Sequence, residues 1–81
     1  MPKLKTLSGA DIVKIFVGFG FLVVAQKGSH VKLQRIGKQE VKQTLTLPLH
    51  DELDKGTLAA IYKQALGYLL ESELRSHFYS E

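Results

Sequence analysis

Apolar positions change their spacing along this chain, and the changes divide it into elements. From Ser8 to Gly18 the period is helical: Ile12 and Phe16 are four apart, as are Val13 and Val17, so both pairs lie on one stripe. Ser8 stands where an N-cap belongs, and Asp11, three residues on, puts a carboxylate into the first turn, favourably against the helix dipole. Gly18 and Gly20 supply the stop. Phe21 to Gln26 is β-branched and aromatic and too short for another helix, which predicts a buried strand. After the turn Lys27-Gly28-Ser29 the pattern alternates with period two, from His30 to Ile36 and again from Val41 to Leu47, with a turn at Gly37-Lys38-Gln39 between them.

The alternation also predicts facing. A loop of residues 37–39 puts His30 opposite Thr46, Lys32 opposite Thr44 and Gln34 opposite Lys42, all polar and on one side. Val31, Leu33, Leu45 and Leu47 then share the other side, and a slip of one residue would mix the two sets. The expectation is a three-stranded antiparallel sheet with an apolar face for helices and an open polar face carrying His30, Lys32 and Lys42. Pro48 ends the third strand, and Leu49 to Lys55 reads as an acidic loop. Thr57 to Leu66 reads as a helix, with Leu58, Ile61, Tyr62 and Ala65 on one stripe and Gly67 as its stop. Leu70 to Phe78 is a candidate short extra C-terminal helix. The order is α-β-β-β-α in a single α+β domain spanning residues 1–81, with the helices on one sheet face.

A chain of 81 residues, 44% hydrophobic and 23% charged, is globular in composition and has room for one core. The absence of cysteine excludes a disulfide scaffold, a thiolate zinc site and a thiol nucleophile, and points to the cytoplasm. Ile15 to Ala25 superficially resembles a signal-peptide core. Asp11 in the would-be positive region and the interrupting Gly18 and Gly20 argue for buried structure instead, and the run is too short to span a bilayer, so no membrane partner is expected. The net charge is +3, unevenly spread: residues 1–50 carry +6 and residues 51–81 carry −3. A basic half facing outward suits a polyanion such as nucleic acid; an ordinary solvated surface explains the same numbers equally well.

The candidate chemistry reduces to histidines. His30 follows Gly28-Ser29 directly and begins a strand on the polar face; His50 follows the end of the third strand, placing both at one edge of the sheet. His77 lies in the last helix. A histidine among lysines suits cleavage of RNA through its own 2′-hydroxyl, which needs a base, an acid and fixed positive charge around the transition state. His30 can serve as base or acid, His50 is a candidate second acid or base, and Lys27, Lys32 and the Gly28 and Ser29 backbone N–H groups can hold the phosphate. Lys42 adds charge on the same face. No metal or other cofactor is required, and two histidines without a carboxylate cluster make a poor metal site. On composition alone His30 is more often a surface strand residue than a catalyst, which leaves a non-catalytic RNA-binding module and a pure protein-interaction domain as alternatives.

A set of segments narrows these. Leu7-Ser8-Gly9, Gly20-Phe21, Gln26-Lys27-Gly28-Ser29-His30, Pro48-Leu49-His50 and Gly56-Thr57-Leu58, ending in Ile61-Tyr62-Lys63-Gln64-Ala65, resemble in order and spacing the HicA (YcfA-like) mRNA interferase toxins, from about residue 5 to residue 66. The resemblance implies a double-stranded-RNA-binding-domain-like α-β-β-β-α fold, a toxin that cleaves mRNA, and a HicB-type antitoxin that covers the active surface. It also implies that His30, the histidine of the Gly-Ser-His turn, is catalytic, and it assigns His50 no firm role. The chain departs from the common pattern at Leu66, which precedes Gly67, and in its tail from Tyr68 to Glu81.

Overall fold

A computed structural model describes residues 3–80. The chain runs β1 (Lys3–Leu4), α1 (Gly9–Gly18), β2 (Leu22–Lys27), β3 (His30–Ile36), β4 (Lys42–Pro48), α2 (Lys55–Ala65), α3 (Glu71–Phe78) and β5 (Tyr79–Ser80). The fold is α+β, and β2, β3 and β4 form an antiparallel sheet with β3 in the middle. Helix α1 begins at a reciprocal capping box: Ser8 Oγ accepts the Asp11 N–H at 3.0 Å, and the Ser8 N–H donates to Asp11 Oδ2 at 3.0 Å. Helix α2 begins two residues ahead of the expected start, because Asp54 in the acidic segment serves as its cap, accepting from the Thr57 N–H at 3.1 Å and from the Thr57 hydroxyl.

Val31 and Leu33 of β3 and Leu45 and Leu47 of β4 are buried beneath the helices, against Ile12 and Phe16 of α1 and Leu58, Ile61, Tyr62 and Ala65 of α2. Helix α3, present as expected, adds Leu74 and Phe78 to this core. Phe78 meets Phe16 at 6.1 Å and Tyr62 at 5.2 Å between ring centroids. Tyr62 is therefore a core residue, and its hydroxyl donates to Glu71 Oε2 at 3.1 Å. Burial, followed by that carboxylate, raises the Tyr62 phenol above its ordinary pKa.

Three features differ from the sequence expectation. First, β2 is not buried: all six of its residues are exposed. It is an outer strand, and the burial falls to Phe21 just ahead of it, which packs on Phe16 at 5.8 Å. Second, β3 and β4 pair as His30 with Pro48, Lys32 with Thr46, Gln34 with Thr44 and Ile36 with Lys42, two residues from the expected register. The connection is longer than residues 37–39. The Gly37 N–H bonds the Val41 carbonyl at 2.8 Å, and Gln39 and Glu40 take left-handed backbone conformations with φ of 59° and 60°. A displacement of two leaves every side chain on its expected face. Third, the chain ends pair: β1 and β5 form a second small antiparallel sheet, matching Lys3 with Ser80 and Leu4 with Tyr79.

Candidate nucleic-acid interface

The open face of the sheet is built from cross-strand rows. Lys27, His30 and Pro48 form one row, and Ala25, Lys32 and Thr46 the next. Paired residues share a face, as do residues two apart on a strand, so Lys27, His30 and Lys32 project to the same exposed side. The tight connection ahead of His30 depends on Gly28, whose φ of +60° is a conformation that side-chain-bearing residues rarely adopt. The Gln26 amide reaches the Gly28 carbonyl at 3.4 Å.

Backbone hydrogen bonds gather three loops at this end. The Leu49 N–H bonds the Ser29 carbonyl, the Gly9 N–H bonds the His50 carbonyl at 2.9 Å, and the Leu53 N–H bonds the Leu7 carbonyl at 2.9 Å. His50 is thus held at the His30 end of the sheet with its residue exposed. Lys42 shares the open face but not this end. It pairs with Ile36, six residues along β3 from His30, about 20 Å away by the rise of a strand. Among the described residues, no three histidine, aspartate or glutamate side chains group as a metal ion would require, and no helix is long and apolar enough to cross a membrane.

The pattern of residues concealed two electrostatic facts. Arg35, counted in the basic half, points to the helix side of the sheet. It donates to Gln43 Oε1 at 2.7 Å, to the Phe19 carbonyl at 2.8 Å and to the Tyr68 carbonyl at 3.4 Å, with its guanidinium 4.9 Å over the Phe21 ring. It ties the end of α1 and the α2–α3 connection to the sheet and lines a cleft of about 940 Å³ there, together with Ile36, Tyr68 and Leu70. Conversely, the acidic segment starts at the His30 end, since Asp51 follows His50. Asp11 and Asp54 are occupied as caps. The Ser8 backbone N–H holds Asp11 below its ordinary pKa, and the Thr57 hydroxyl does the same for Asp54.

The fold and this basic, solvent-facing strand surface define a small α+β domain with an exposed histidine on its sheet. Residues 9–66, from the first residue of α1 to the C-cap of α2, match the family described as "HicA toxin of bacterial toxin-antitoxin", and the chain belongs to that family. It is a toxin-family protein of toxin–antitoxin systems. No curated protein and no solved structure matches it significantly. The segment 67–80, with α3 and β5, lies outside the matched region.

Proposed function

We propose that this chain is the toxin of a type II toxin–antitoxin system, a metal-independent endoribonuclease that acts on mRNA in the cytoplasm and is neutralised by a HicB-type antitoxin. The observation that carries the reading is His30, exposed at the start of the central strand with Lys27 across from it and Lys32 beside it, within the segment that matches the toxin family. The reaction is a transesterification within RNA. A base takes the 2′-hydroxyl proton, the 2′-oxygen attacks the adjacent phosphorus, and the 5′-oxygen leaves with a proton supplied by an acid. The products are a 2′,3′-cyclic phosphate and a free 5′-hydroxyl. His30 supplies one of these proton transfers and His50 is the candidate for the other. Lys27, Lys32 and the N–H groups of Gly28 and Ser29 stabilise the phosphorane-like transition state.

The test is cleavage of RNA by the purified chain in excess EDTA, beside His30→Ala and His50→Ala. We expect cyclic-phosphate ends from the parent and a loss of at least about a hundredfold with His30→Ala. His30 is exposed, so the variant melts with the parent. Loss with either histidine supports an acid–base pair, whereas loss with His30 alone makes His50 structural. The alternative, a non-catalytic RNA-binding module, is favoured by one observation: no described residue hydrogen-bonds the His30 ring to orient it. Salt-sensitive RNA binding without any product assigns the chain to that class.

A further inference from the structure

Of the large apolar side chains left in solvent among the described residues, Ile36, Val41 and Leu70 lie at the β3–β4 connection and the Arg35 cleft, and the other four lie on α1 and β2. Val17 of α1 is 47% exposed, and Leu22, Val23 and Val24 of β2 are 67%, 48% and 50% exposed. Among the described residues strand β2 has a neighbour on one side only, so its outer edge presents unpaired backbone donors and acceptors. Edge strands are ordinarily guarded against pairing by charges or proline, and Leu22-Val23-Val24-Ala25-Gln26 contains neither. A bulge at Val24 shifts the alternation, so that Val23 and Gln26, paired with Leu33 and Val31, both face the α1 side. There they line a groove of about 330 Å³ with Ala10, Val13 and Lys14. The bulge therefore opens an apolar seat beside the edge while leaving Ala25–Lys27 as a regular ladder.

The charges say what fits. Lys14 lines the groove and Lys27 ends the strand, and neither the strand nor the groove contains an acidic side chain. Pairing β2 with the β2 of a second copy would bring a strand that has a lysine and no acidic residue to answer it. We propose that β2 is the edge on which an extended strand of the antitoxin partner docks, its apolar side chains seated between α1 and β2 and its acidic side chains meeting Lys27 on the open face. This is strand addition, with main-chain hydrogen bonds supplying affinity and alternate side chains supplying specificity. A strand that runs the length of β2 reaches the row Lys27–His30–Pro48 at its outer end, with Lys27 between it and His30. The identity of the partner as an antitoxin rests on the proposed toxin reading; the docking chemistry does not.

The test is amide hydrogen exchange by NMR on the full chain, with a blocked peptide alternating valine and glutamate as the probe and one alternating valine and lysine as the control. Slowed exchange within residues 22–27 and shifts along the exposed side of α1, for the glutamate peptide alone, support the inference. Lys27→Glu and Val23→Glu should each weaken that binding by about tenfold, with the exchange of the core amides unchanged. Perturbation confined to the open face or to the Arg35 cleft, or no perturbation, overturns it. Protection of β2 that rises with protein concentration in the absence of peptide assigns the edge to a second copy, and protection by an RNA oligonucleotide assigns it to nucleic acid; either overturns it too. None of these readouts involves RNA cleavage, so this inference and the nuclease reading fail separately.

Discussion

Ser8 and Asp54 begin the two helices that cover the sheet, and each cap depends on a carboxylate. Asp11 accepts the Ser8 N–H, and Asp54 accepts from both the backbone and the hydroxyl of Thr57. Those bonds favour the charged form, so both aspartates titrate below the ordinary value of 3.8 in the folded chain. A carboxyl group whose folded pKa is depressed contributes stability that is present above its unfolded pKa and is lost as pH falls through the folded one. Stability should therefore hold from neutrality down to about pH 5 and fall below about pH 4. Asp11→Asn and Asp54→Asn together keep short polar caps but cannot titrate, and should flatten the acid limb in urea unfolding measured across that range. An unchanged limb would place the acid sensitivity in other groups.

At the scale of elements, the start of α1 is wedged against the end of β4. A methyl group on Gly9 would run into the Pro48 carbonyl oxygen and come within 2.6 Å of the Leu49 Cα, both of them backbone. Gly9→Ala must push α1 away from the same loop that bonds the Ser29 carbonyl ahead of His30. The expected cost is about 1–3 kcal/mol in urea unfolding, with slower RNA cleavage although no reacting group is altered. Full stability would mean that this end of α1 is not packed as described. Much at this scale was legible in the sequence. Ser8 and Asp11 announced α1, and the alternation from His30 to Leu47 placed the polar and apolar faces correctly because face depends only on parity. Register was not legible, because the left-handed positions of the β3–β4 connection are Gln39 and Glu40, residue types that do not advertise a turn. The error carried Lys42 two positions nearer His30 than it is. Strand β2 misled because its apolar residues, unlike Phe21, face solvent at the edge of the sheet. The β1–β5 pairing was invisible, since strands of two residues have no period. Arg35 could not be assigned either, as its partners come from three separate segments.

At the scale of the whole molecule, net charge proves a poorer guide than its placement. Of the basic groups in residues 1–50, Arg35 is spent inside the fold and Lys5 caps the end of α3 through the Ser76 carbonyl at 2.7 Å. Lys27 and Lys32 flank His30, while Lys42 stands at the far end of the same face. Each lysine that neutralises a phosphate on single-stranded RNA releases a condensed counterion and steepens the dependence of log affinity on log salt by about 0.7. If the scissile phosphate sits at His30, Lys27→Ala and Lys32→Ala should each reduce that slope by about 0.7 on RNA of any length. Lys42→Ala should reduce it only on RNA long enough to reach about 20 Å along the sheet from His30, and should leave it unchanged on a short oligonucleotide. The measurement is RNA affinity at several salt concentrations, for short and long strands, in a His30→Ala background so that no strand is cut. A loss of slope with Lys42→Ala on the short strand, equal to that for Lys27 or Lys32, would mean that RNA lies centred elsewhere on the sheet and that His30 is not where it reacts.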